Sequence, residues 1–80
     1  MIVEILTLDK ILLSTKAKAV VVPGKNGYFE MLDNHAPIVS LLDSGTIKVT
    51  NTNHEVHEIK ISFGSVEMSN NKVTILANTE

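Results

Sequence analysis

The chain contains no cysteine, so no disulfide staples it, thiol catalysis is excluded, and the commonest zinc ligands are missing. It contains no arginine either, and its seven lysines face nine acidic residues for a formal charge of −2. Binding to a nucleic-acid backbone runs on clustered Lys and Arg, so no nucleic-acid partner is expected. Long apolar runs are also missing. The longest, Ala19-Val20-Val21-Val22 and Ile11-Leu12-Leu13, fall far short of the ~20 residues that span a bilayer. Met1-Ile2-Val3-Glu4 does not open a signal peptide, and direct membrane insertion is not expected. At 80 residues the chain reads as a single domain, 1–80. A domain of that size buries only about 60 % of its unfolded surface, so its core is marginal without help from a partner.

What is present points to strands. Nine valines, eight isoleucines and seven threonines make 24 β-branched residues, against only four alanines. Side chains stiff at χ1 suit a pleated sheet better than a helix. Period-two alternation puts His57, Ile59, Ile61 and Phe63 on one face, with Val56, Glu58, Lys60 and Ser62 on the other. Ile47 and Val49 flank Lys48, Val66 and Met68 flank Glu67, and Val73 and Ile75 flank Thr74. The N-terminal third is apolar on both faces; in it Ala17, Ala19 and Val21 alternate with Lys16, Lys18 and Val20. Turn signals recur at Pro23-Gly24, Asn26-Gly27, Asp33-Asn34, Ser44-Gly45, Asn51-Thr52-Asn53 and Asn70-Asn71. The last pair tolerates the left-handed backbone that a tight hairpin needs. The pattern predicts an all-β antiparallel sandwich or barrel.

Site chemistry is sparse. His54-Glu55 and His57-Glu58 are the nearest approach to a metal site, but the histidines are three apart, and on a strand they point to opposite faces. Pro23-Gly24-Lys25-Asn26-Gly27 has the glycines of a phosphate loop without its Lys-Ser/Thr end or following helix. Gly64-Ser65-Val66 has no glycine two residues beyond the serine, so Ser65 reads as a turn residue and not as a nucleophile. The chain is expected to be non-catalytic and to need no cofactor or metal.

One segment breaks the pattern. Tyr28 and Phe29, two of only three aromatics, fall side by side just after Gly27 and before Glu30, Met31 and Leu32. Such groups beside a loop are either core plugs or contact residues for a partner. If the pair is extended, one ring points inward and the other outward. Further on, Ala36 before Pro37 is pushed toward extended geometry, so Ala36-Pro37 leads into a strand, and His35 reads as a turn histidine.

The order Val22-Pro23-Gly24-x-x-Gly27, then His35-Ala36-Pro37, then Leu42-x-x-Gly45-x-Ile47-x-Val49 resembles the epsilon subunit of bacterial F-type ATP synthases. The tail agrees, with Phe63-Gly64-x-x-Glu67 resembling that family's Gly-rich turn and Val73 to Thr79 its final strand. The likeness runs along nearly the whole chain. It implies a flattened β-sandwich of about ten short strands at the foot of the central stalk, binding the gamma subunit and resting on the ring of c subunits. A place on the cytoplasmic face of the bacterial inner membrane, as a peripheral component, follows from the same resemblance.

Carried over by position, His35, Ala36, Pro37 and Ser40 fall where the family contacts gamma, and Tyr28, Phe29, Glu30 and Met31 where it touches the c ring. Two departures are local. Glu30 stands where the family usually has glycine, and Asp33-Asn34 where it often has Pro-Gly. A larger departure is at Glu80, where family members usually continue into a two-helix domain that inhibits ATP hydrolysis and in some species binds ATP. The expectation is a chain without the inhibitory arm and without a nucleotide site, through either a cut at the domain boundary or a naturally short form. The rival reading is a free-standing β module that binds a peptide or carbohydrate through the Tyr28-Phe29 loop.

Overall fold

The computed structural model describes residues 1–79. Its elements are eight strands: β1 (Ile2–Leu6), β2 (Ile11–Gly24), β3 (Gly27–Leu32), β4 (Ile38–Leu42), β5 (Gly45–Asn51), β6 (Val56–Ile61), β7 (Phe63–Ser69) and β8 (Lys72–Asn78). They wrap into two layers. One contains β1, β8, β7 and β4, and the other contains β3, the second half of β2, β5 and β6. The long strand β2 joins them. Its first half pairs with β1, while Ala19 to Val21 pair with β3 and with β5, which must therefore lie on opposite edges.

The fold is all-β, as expected, with two differences of detail. Eight strands replace the expected ten or so, because the apolar stretch from Ile11 to Gly24 runs as one 14-residue strand. One pairing, β1 with β8, is parallel; the other ladders are antiparallel.

The core follows from the registers. Ile5, Ile75 and Val66 lie in one row across the first layer, and Val3, Val73 and Met68 in the next, all buried. Across the second layer Met31, Val20 and Val49 form a buried row. Two sheets stacked about 10 Å apart bring these rows into contact. Among the described residues no buried side-chain nitrogen or oxygen lacks a hydrogen-bond partner. The buried Asn51 shows how: its Oδ1 accepts from the Asn53 and Glu55 amides at 2.9 Å, and its Nδ2 donates to the Glu55 carboxylate at 3.0 Å. That side chain shapes the turn into β6.

Strict alternation fails at two places, each with a local cause. The β2–β5 register slips between Ala17 and Ala19, so Lys18 is an extra residue. A bulge of this kind bends the strand and flips its parity. Ala17, Val20 and Val22 are therefore the buried set, in place of Ala17, Ala19 and Val21. The second break is at Ser62, whose amide and hydroxyl both donate to the Asn78 carbonyl, at 2.8 and 3.0 Å. Phe63 consequently starts a new strand facing outward and is 58 % exposed, not inward with Ile59 and Ile61. Ser65 and Gly64 also differ from expectation. They lie within β7, between β4 and β8, and not in a turn, because a strand runs unbroken from Phe63 to Ser69.

The turn chemistry matches its residues. Asn70 and Asn71 both have positive φ, 53° and 59°, and close the β7–β8 hairpin in a left-handed backbone conformation whose turn geometry matches the right-handed twist of the flanking strands.

Candidate functional site

β3 and β4 carry the residues singled out by sequence. In β3 the ladder with β2 pairs Tyr28 with Pro23, Phe29 with Val22, Glu30 with Val21 and Met31 with Val20. Pleating then sorts them. Phe29 and Met31 turn inward, and Tyr28 and Glu30 turn outward. The expectation of one aromatic in and one out holds: Tyr28 is 59 % exposed, while Phe29 is half-buried against the core. The Tyr28 phenol oxygen accepts a hydrogen bond from the Thr46 amide at 3.0 Å, which fixes the ring on the surface. Met31 does not fit its expected contact role. Its side chain is fully buried between layers, since it faces Val20, so it offers no surface to a partner.

The segment before β4 is exposed throughout, with His35, Ala36 and Pro37 on the surface and β4 starting at Ile38. Its shape is set by the preceding turn. Asn34 has a φ of 62°, the His35 amide donates to the Leu32 carbonyl at 3.1 Å, and the His35 Nδ1–H donates to the Ala36 carbonyl at 2.7 Å. The turn is tied to the β7–β8 hairpin, because the Asn34 amide donates to Asn71 Oδ1 at 2.8 Å. Asp33 accepts from the amino group of Met1, which also donates to the Ala17 carbonyl at 3.1 Å.

That hydrogen bond from Met1 is the main reason the Asp33 carboxyl lies below its ordinary value; desolvation opposes it as the next largest effect, and the Met1 charge and the Asn71 amide add smaller lowering contributions. A lowered folded-state pKa contributes stability that is fully present above the unfolded value and lost as pH falls through the folded one. Urea unfolding is therefore expected to show wild type above Asp33→Asn at pH 7, with the gap closing below about pH 4. A gap that fails to narrow as pH falls below about 4 would contradict this.

Ser40 is half-buried and lies on the inward side of β4, in the row Ser40, Val66, Ile75, Ile5. It borders a shallow cleft of about 290 Å³ with Gly24, Lys25, Tyr28 and Phe29. Ser40 thus sits with the β3 pair and not on the exposed side of β4 beyond His35. The outward positions of β4 are its neighbours Val39, 76 % exposed, and Leu41.

These neighbours belong to a surface that sequence reasoning did not assemble. Leu41 pairs with Ser65, Ser65 with Leu76, and Leu76 with Leu6, so one row crosses the outer face of the first layer. Phe63 lies two residues along β7 on the same face, and Leu8 is 95 % exposed beside it. Leu8, Leu41, Phe63 and Leu76 line a mostly apolar depression of about 370 Å³. The signal was there in Ile38-Val39-Ser40-Leu41-Leu42, a strand apolar on both faces, which reads as covered on both sides.

The histidines do not come together. His57 is half-buried in β6, whereas His54 sits in the preceding turn with a φ of 65° and its Nδ1 against the Lys18 ammonium.

Comparison with known proteins follows this geometry. A family model described as ATP synthase, Delta/Epsilon chain, beta-sandwich domain matches residues 1–80. The chain belongs to that family. The ATP synthase epsilon chain of Desulfitobacterium hafniense is 49 % identical over 67 residues, covering 84 % of this chain and 50 % of the relative. That of Protochlamydia amoebophila is 37 % identical over 75 residues, covering 94 % of this chain and 51 % of the relative. The chain thus spans about half the length of these relatives and corresponds to their β-sandwich domain. A chain in the Euglena gracilis mitochondrial ATP synthase assembly of OSCP, F1 and c-ring shares the fold, with a TM-score of 0.86, 20 % identity and coverage of 96 % of this chain and 49 % of that one. A chain from the central stalk and c-ring of the Tetrahymena thermophila enzyme gives 0.80 at 14 % identity, covering 98 % and 63 % respectively.

Proposed function

We propose that this domain joins the gamma subunit to the c ring in the central stalk of a proton-translocating ATP synthase, so that rotation of the ring reaches gamma without slip. It acts mechanically, at the cytoplasmic face of the bacterial membrane, and catalysis belongs to other subunits. The inhibitory arm and nucleotide site of the epsilon family belong to sequence outside residues 1–80.

The observation that carries this reading is the apolar outer face of the first layer. Val39, Leu41, Phe63 and Leu76 are exposed together on adjacent strands, whereas isolated domains scatter their surface hydrophobics. A stable contact covers about 800 Å² per partner. That is roughly one sixth of this domain's 4852 Å² surface. We assign gamma to this face, with His35, Ala36 and Pro37 at its border and Ser40 at the edge of the layer. The ring is assigned to the β2–β3 end, through Tyr28, Phe29 and Glu30. A close-packed sandwich suits the task because it transmits force with little deformation.

Pull-down by purified gamma tests the assignment. Leu41→Asp and Phe63→Asp are each expected to weaken binding by about 30-fold, the loss of one interface anchor worth ~2 kcal/mol. Both side chains are exposed, so circular dichroism should be unchanged. Tyr28→Ala should leave gamma binding intact while lowering retention on the c ring. Undiminished gamma binding by both aspartate variants would refute the assigned face.

A further inference from the structure

The strand β6 is an edge: β5 covers one side of it, and no described strand covers the other. Its backbone polarity can be read from the ladder. Asn51 donates its amide to the Glu55 carbonyl at 2.9 Å, and bonds in an antiparallel pair alternate. His57, Ile59 and Ile61 therefore bond to β5, while the N–H and C=O groups of Val56, Glu58 and Lys60 point away from the sheet. Such a row is a template for another strand.

We infer that the β6 edge pairs with the β6 edge of a second copy of this chain, antiparallel and centred on Ile59. Only residues with outward backbone groups can bond across such a twofold, which leaves a short set of registers. Centring on Glu58 or on Lys60 places like charges opposite each other, which is destabilising. Centring on Ile59 places Glu58 of each copy opposite Lys60 of the other, so both charge pairs are satisfied by one symmetric contact. The row continues inward, because Lys48 pairs with Glu58 on β5 and all three side chains are exposed on one face.

The other free edge of this layer lacks that property. In β3 the two-residue turn between Gly24 and Gly27 leaves Tyr28, Glu30 and Leu32 with outward backbone groups. The longest self-pairing there sets Glu30 against Glu30. Charge complementarity thus selects β6. The contact is small, well under ~800 Å² per partner, so the dimer is weak, with a dissociation constant on the order of 0.1–1 mM. It lies on the layer opposite the Leu41–Phe63 face, and its test does not involve gamma.

The experiment is sedimentation equilibrium on the 80-residue chain at concentrations bracketing 1 mM. Wild type is expected to approach a dimer and stop there. Glu58→Lys and Lys60→Glu, each alone, are expected to lose at least tenfold in association, since each makes like charges face across the twofold. An equimolar mixture of the two variants restores opposite charges at both positions and should dimerise as wild type does. Circular dichroism confirms that both variants remain folded. A wild type that stays monomeric, single variants that associate as well as wild type, a mixture that fails to recover, or growth beyond dimers would each overturn the proposal.

Discussion

Met31→Ala is expected to cost this domain about 2–5 kcal/mol, the range for truncating a fully buried aliphatic side chain. Met31 is completely buried, faces Val20 in the neighbouring strand, and sits in the buried row with Val49. For a chain of this length total stability is about 4–12 kcal/mol, so the loss is a large fraction of the whole. Urea unfolding followed by circular dichroism measures it, and Leu32→Ala, an exposed neighbour on the same strand, serves as the control within ~0.5 kcal/mol. A Met31 variant that unfolds within 1 kcal/mol of wild type would mean that this side chain does not fill the core. Weakened c-ring association in that variant would report loss of fold and not a lost contact, which is why Tyr28→Ala is the informative substitution for that surface.

The position of Met31 illustrates how much the sequence makes legible. Alternation sorted Ile47, Val49, Val66, Met68, Val73 and Ile75 correctly to the interior, because each of those strands keeps one parity from end to end. Turn chemistry located Asn70-Asn71, since two consecutive left-handed residues leave few alternatives to asparagine or glycine. What could not be read were the parity changes. The extra residue at Lys18 and the break at Ser62 depend on which strand lies alongside, information that a local window does not contain. Each moves a hydrophobic side chain to the opposite face, and at Phe63 that places an aromatic ring on the surface.

The same cause separates the legible from the illegible in the site. The Tyr28-Phe29 oddity was visible as composition, and the extended backbone resolved it into one ring out and one against the core. The row Leu41, Ser65, Leu76, Leu6 joins four strands, of which only β7 and β8 are neighbours in sequence. No motif marks it, because each member is an ordinary strand residue until the register sets them side by side. Ser40 shows the converse: a neighbour of two outward hydrophobics, it faces inward by pleat alone.

Gly64→Ala is expected to be the most damaging single-methyl change in the chain. A Cβ at this position would lie 2.5 Å from the Leu76 carbonyl oxygen and 3.3 Å from the Ala77 Cα, both backbone atoms of the adjacent strand. Neither can swing aside as a side chain would. Gly64 is held from both directions, paired with Leu42 on β4 and with Ala77 on β8, so β7 has no free edge toward which to shift. Relief requires prising β7 from β8 through the layer that carries the Ile5, Ile75 and Val66 row. Overpacking a well-filled interior costs about 1–3 kcal/mol when side chains can adjust, and a clash with backbone belongs at or beyond the top of that range. Gly27 supplies the contrast. It has nothing within 4 Å of the same atom but a φ of 118°, so Gly27→Ala is strained by its backbone alone, at about 1–3 kcal/mol. Denaturant midpoints for the two variants should therefore separate, with Gly64→Ala the lower. Gly64→Ala should also lose gamma binding with its fold, because the strand it distorts carries Phe63 and Ser65, its two sequence neighbours, on the outer face. Equal stability of the two variants would show that β7 and β8 are farther apart than 2.5 Å implies.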